Sequence, residues 1–178
     1  MMMKRRNFVR IAGVPLAVAI LCGHLCAQSD AGMTQNQNGS DHGLQGYLFV
    51  GIGLQSPRRE FVSIEHYGAG GEYLFSRGLG IGGEVGYLAL FDDWWSGMLV
   101  LSANGSYHFA RNRSFSPFLI GGYSFCYRYG TLNAMQYGVG FNYWYRETSA
   151  VRLELRHMVS LGDARTNFVT ARIAYAFR

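Results

Sequence analysis

Residues 135–146, MQYGVGFNYWYR, restrict the fold more than any other stretch of this chain. Met135, Tyr137, Val139, Phe141, Tyr143 and Tyr145 hold the odd positions; Gln136, Gly138, Gly140, Asn142, Trp144 and Arg146 hold the even ones. A strand sends successive side chains to opposite faces, so this segment has one apolar, aromatic face and one of mostly small or polar residues. Either face can line an interior. An apolar interior makes a soluble barrel, whereas a polar one makes a barrel that stands in lipid.

The same alternation recurs in eight segments: 46–55, 66–76, 79–91, 98–109, 117–128, 135–146, 150–159 and 167–177. Most run longer than common globular strands and are long enough to cross a bilayer at a tilt. Short stretches rich in Gly, Ser, Asn, Asp and Arg separate them, including a distinctive Asp92–Gly97 loop, and turns of that kind join antiparallel neighbours. An even number of such strands with both termini on one side fits an all-β, eight-stranded, antiparallel up-and-down barrel.

The choice of interior follows from the surface each arrangement would show. With the apolar face inward, the outside would be rich in glycine and, beyond residue 27, without a single lysine, because Lys4 is the only one in the chain. Water-facing surfaces are normally covered with Lys and Glu, and eight strands leave little space for many Tyr and Phe rings. The reverse arrangement puts Leu, Val, Ile, Tyr and Phe against lipid, and the sheet must close because unpaired backbone groups are costly in hydrocarbon. The reading is therefore a transmembrane barrel.

Its lumen would hold the acids Glu72, Glu84 and Glu154 with the bases Arg146, Arg152, Arg156 and Arg172, paired into a plug rather than an open pore because isolated buried charges are expensive. Trp144 shares the inward parity near the periplasmic end, where neighbouring glycines would make room for it. Tyr73, Phe75, Tyr107, Phe109, Tyr143 and Tyr145 would form an interfacial aromatic girdle, with Trp94 and Trp95 as loop anchors.

The first 27 residues combine a basic start, an apolar run from Ile11 to Cys22 and a small residue at Ala27, the pattern of a cleaved secretory signal. Arg5-Arg6 also resembles the start of a twin-arginine export motif. A basic leader start with two adjacent arginines is the favoured reading, because a barrel bound for an outer membrane should cross unfolded whereas twin-arginine cargo crosses folded. Residues 28–45 read as a flexible polar lead-in, leaving 46–178 for the barrel. Removing the leader leaves twelve arginines against eleven acidic residues, a net charge of +1, so no basic patch calls for nucleic acid. Cys126 is then the single remaining cysteine and has no partner for an internal disulfide. His66, His108 and Cys126 lack metal-ligand spacing, and no cofactor motif is present.

The glycine-rich segments GAGGEYLFSRGLGIGGEVGYL and FLIGGYSF, with VRLELRHMVSLGD and the closing NFVTARIAYAFR, resemble the outer-membrane-protein β-barrel domain family, alongside the small OmpA-like barrels of Gram-negative bacteria. The resemblance spans residues 46–178. It implies an outer-membrane location, contact with outer-membrane lipid and lipopolysaccharide, and insertion by the barrel-assembly machinery, with no shared catalytic residues. That machinery reads a terminal aromatic, whereas here Arg178 follows Phe177.

The leading functional reading is a non-enzymatic barrel with a structural or surface-interaction role. One alternative is an outer-leaflet lipid-modifying enzyme similar to the lipid A deacylases, whose His-x-Ser pair would correspond to His157 and Ser160, with Asp163 nearby. Positions 157 and 160 have opposite parity, so a bulge would be needed to bring them to one face. A narrow passive channel is another alternative. The oligomeric state is not legible.

Overall fold

The computed structural model describes residues 43–57, 62–109, 114–128, 130–162 and 166–178. The predicted leader and the lead-in through residue 42 lie outside the described residues. Eight strands follow in order: β1 (Gly43–Pro57), β2 (Val62–Leu74), β3 (Leu79–Leu90), β4 (Asp93–His108), β5 (Phe115–Tyr127), β6 (Thr131–Arg146), β7 (Ser149–Ser160) and β8 (Thr166–Phe177). Each pairs antiparallel with the next, and β8 returns to β1, closing the barrel. Closure gives every strand a hydrogen-bonded neighbour on both sides, as lipid requires.

All eight predicted segments are strands, with three boundary changes that matter. β1 reaches into the predicted lead-in, because GLQ continues the alternation: Leu44 is exposed and Gln45 is buried. β6 begins at Thr131, before the opening motif. β4 begins at Asp93, so most of the expected 92–97 loop is strand, joined to β3 by a tight turn at Phe91 and Asp92. Between Leu88–Met98 and Leu90–Asp93 the register shifts, and the extra residues 94–97 escape strict alternation.

The shortest strands have twelve residues. At about 3.3 Å per residue and a tilt of about 40°, twelve residues rise roughly 30 Å, the thickness of a hydrocarbon core. The β2–β3 connection shows how tightly the chain turns. Arg77 and Gly78 both have positive φ, 70° and 83°, and a side chain at Gly78 would collide with the His108 carbonyl.

The outer wall carries Leu101, Val139, Leu155 and Ile173, all exposed. An apolar exterior of this extent is the surface of a protein that spans a bilayer. The interior is layered. Near the 91–92 turn and the end of β5, Ile64, Leu88, Val100, Cys126, Ala134, Met158 and Phe168 form a buried apolar cluster. Near the chain's C-terminal end, Tyr47, Phe49, Trp144, Ala150, Ala174 and Ala176 form a second. Between them lie the charged residues.

Candidate functional site: the sealed lumen

Three acids and three bases meet inside the barrel: Glu72 from β2, Glu84 from β3, Arg152, Glu154 and Arg156 from β7, and Arg172 from β8. The set is neutral. Glu84 is its hub, accepting two bonds from Arg156 (2.6 and 2.9 Å), two from Arg172 (3.1 and 3.0 Å) and one from the Tyr47 hydroxyl (2.5 Å). Glu154 accepts from Arg156 Nε at 2.5 Å and from Arg152 Nη2 at 3.2 Å, with Arg172 Nη2 3.5 Å away. Glu72 accepts from Arg152 Nη1 at 3.0 Å and Ser106 Oγ at 2.8 Å, and His108 Nε2 lies 3.2 Å from it.

Neutral partners complete the network. Arg156 Nη1 donates to Gln136 Oε1 at 3.1 Å, and Gln136 Nε2 donates to Asn104 Oδ1 at 2.5 Å. The Arg152 guanidinium lies 4.0 Å from the Phe118 ring centre and 4.5 Å from that of Tyr47, while Arg172 lies 3.8 Å from that of Phe49. These contacts supply the attraction that water would otherwise provide.

The glycines of the inner face explain how six long charged residues fit in so narrow a space. Gly70 stands opposite Glu84, Gly82 opposite Glu72, Gly138 opposite Arg156, Gly140 opposite Glu154 and Gly51 opposite Arg172. A methyl group added at Gly70 would come within 2.6 Å of the Tyr47 ring and 2.7 Å of Glu84 Cγ. Large residues on one strand therefore require a missing side chain on the neighbouring one.

Arg146 does not join this network. Tyr145 is an extra residue between the Trp144–Ala150 and Arg146–Ser149 pairs, and this bulge at the strand end leaves Arg146 exposed beside the 147–148 turn. Trp144 is buried inside, but not among glycines. It clusters with Ala150, Ala174 and Ala176, and the Arg178 guanidinium lies 4.1 Å from its ring centre. Alanines, not glycines, make room for the ring there. His66, His108 and Cys126 also point inward and are buried.

On the outer wall, Tyr73 and Phe75 pack edge to face at the C-terminal end of the barrel, as do Tyr107 and Phe109, and Tyr143 and Tyr145 are about half exposed. At the opposite end Trp94 is half-buried between Tyr67 and Tyr87, with ring centres 5.2 and 5.0 Å away, while Trp95 is 85% exposed.

The residues proposed for an enzyme are split by the wall. His157 faces outward, its Nδ1 2.6 Å from the Tyr137 hydroxyl. Ser160 is buried on the inner face, its Oγ accepting the Gly162 N–H at 3.4 Å. No bulge intervenes: His157 pairs with Tyr137 and Ser160 with Ala134 in continuous register. Asp163 lies outside the described residues. Among the described residues, no group of three or more His, Cys, Asp or Glu is placed to hold a metal ion.

Parity alone assigned the charged residues to the lumen, but it did not identify Tyr47, Ser106, Gln136 and Asn104 as their partners. The signal for Tyr47 is its inward parity two residues before Phe49, within the predicted 46–55 strand.

No family model matches the chain, and no curated protein matches it in sequence. Solved structures do match. Neisserial surface protein A is similar with a TM-score of 0.65 at 10% identity, over 76% of this chain and 97% of that one. The N-terminal β-barrel domain of Pseudomonas aeruginosa OprF is similar with a TM-score of 0.56 at 13% identity, over 78% of this chain and 98% of that one. The outer membrane enzyme PagL is similar with a TM-score of 0.51 at 14% identity, over 74% of this chain and 99% of that one. With its closed eight-stranded meander, apolar outer wall and polar interior, this chain has the fold of the small outer-membrane β-barrels.

Proposed function

We propose that the protein is a structural or surface-interacting barrel of the outer membrane, working through its wall and rim and not through its lumen. The observation that carries this reading is the neutral network of Glu72, Glu84, Glu154, Arg152, Arg156 and Arg172, lying beneath the apolar cluster of Leu88, Val100, Met158 and Phe168. An ion entering there would have to displace paired charges and cross a dry layer, so the barrel conducts no current. The leader pattern and the lipid-facing wall support export and an outer-membrane destination, with the termini on the periplasmic side and insertion by the barrel-assembly machinery.

Cell fractionation tests the reading together with gel mobility. The folded barrel should pellet with outer membranes and migrate differently before and after boiling. A soluble periplasmic protein with no mobility shift would refute it, and a reproducible single-channel current in planar bilayers would refute the sealed lumen.

Likeness in fold to PagL keeps an enzyme in view as a second reading. The placement of His157 and Ser160 on opposite faces counts against a shared proton between them, since a nucleophile and its base must lie within hydrogen-bond reach. Lipid A deacylation by the wild type that disappears in His157→Ala would reverse this ranking.

A further inference from the structure

The four strands that run toward the C-terminal end of the barrel finish on one repeated pattern: YLFSR at 73–77, YHFAR at 107–111, YWYR at 143–146 and YAFR at 175–178. Each has two aromatics separated by one residue, then an arginine one or two positions on. The meander sets the repeats at every second strand around the ring. Alternation puts both aromatics of a pair on the outer wall, where Tyr73 meets Phe75 and Tyr107 meets Phe109 edge to face. Such pairs mark the edge of the hydrocarbon, so the arginine after them falls at the level of the lipid headgroups.

Strand length agrees with that depth. Arg77 lies three residues past Leu74, the end of β2, and Arg146 is the last residue of the 16-residue β6, whereas twelve residues already span the core. Both arginines are exposed, and neither has a hydrogen bond or ion pair among the described residues. Arg77 stands at φ 70°, where a Cβ is strained and glycine is favoured, and backbone outliers of this kind cluster at binding sites. Arg178, in contrast, is engaged at the Trp144 ring and the Glu147 carbonyl, and Arg111 lies outside the described residues.

We infer that Arg77 and Arg146 each hold the phosphodiester of an anionic glycerophospholipid, whose acyl chains lie along the aromatic pair of the same strand. A guanidinium offers the fork of N–H donors that phosphate oxygens fit. Among the described residues of these turns, Arg77, Arg146 and Arg178 face one acidic side chain, Glu147, so the rim favours an anion. The β2–β3 and β6–β7 turns stand on opposite sides of the ring, which suits lipid surrounding the barrel better than one acidic protein docked at a single patch. The sites rest on the membrane-barrel reading above and assign lipid contacts to its rim.

The test titrates the full folded barrel, in a maltoside detergent, with phosphatidylglycerol and counts bound lipid by native mass spectrometry. Arg77→Gln and Arg146→Gln should each weaken retention at one site roughly fivefold, the effect of one cation at a lipid surface. The double variant should show both losses, because the turns are far apart. Arg128→Gln, at the opposite end of the barrel, should leave retention unchanged. Full retention by the double variant, or an equal loss in Arg128→Gln, would overturn the sites. Heat-modifiable mobility separates the two failures: a folded, inserted barrel indifferent to these arginines refutes only the lipid sites, whereas a protein that never inserts refutes the membrane reading and the sites with it.

Discussion

Arg156 holds Glu84 at both ends of its guanidinium, Nη1 2.6 Å from Oε2 and Nη2 2.9 Å from Oε1, although β7 and β3 are not neighbours in the barrel. The pair spans the lumen and ties together strands that share no backbone hydrogen bond. Its geometry is the two-pronged one that makes arginine–carboxylate pairs strong.

Removing Glu84 should therefore be severe. Glu84→Gln leaves Arg156 and Arg172 with one carboxylate fewer, a lone excess positive charge in a buried site, and should lower stability by about 3–5 kcal/mol. Glu84→Gln combined with Arg172→Gln restores neutrality and should be less destabilised than the sum of the two single variants. Urea unfolding in lipid vesicles, followed by tryptophan fluorescence, measures both. Strict additivity would mean that the network is not energetically coupled.

At the C-terminal end, Trp144→Ala empties the space beside Ala150, Ala174 and Ala176 and should cost about 3–5 kcal/mol. Arg178→Ala removes the cation above that ring and should cost less, about 0.5–2 kcal/mol. The order of these two effects in the same unfolding assay is the check. A larger loss from Arg178 would place the stabilisation in the 147–148 turn, whose Glu147 carbonyl accepts from Arg178 Nε at 2.9 Å.

Leu155 lies midway along β7 on the outer wall, 53% exposed. Leu155→Arg should destabilise the barrel by about 2–4 kcal/mol if that wall meets lipid. On a water-facing surface the same change would stay within about 0.5 kcal/mol. Refolding yield into vesicles distinguishes these outcomes.

The buried Cys126 thiol reports on the apolar seal. It should resist maleimide in the folded barrel and react after boiling, since thiol reactivity follows exposure. Met158→Ala paired with Leu88→Ala should raise labelling of the folded protein severalfold, read at the Cys126 peptide by mass spectrometry. Rapid labelling of the wild type would mean that the seal is open.

The strand count and the facing of most strands were legible because period-two alternation reports side-chain direction directly. What alternation does not report is depth. Ile64, Leu88, Val100, Met158 and Phe168 share inward parity with the charged residues, yet they form a separate apolar layer at one end. Only the register between strands decides which inward residues share a level. Local irregularities also defeated parity: the shift around residues 94–97 carried Trp94 to the outer wall beside Tyr67 and Tyr87, and the bulge at Tyr145 left Arg146 exposed. The composition of DDWWSG reads as a turn, whereas most of it extends a strand.

Three of the six central charges, Arg152, Glu154 and Arg156, alternate along β7 alone, while their partners arrive on β2, β3 and β8. If β7 slipped by one residue during assembly, all three would swing into hydrocarbon at once. A barrel stitched together out of step would thus carry its own mark of error. The six charges satisfy one another only while β2, β3, β7 and β8 hold the alignment that brings them to one level.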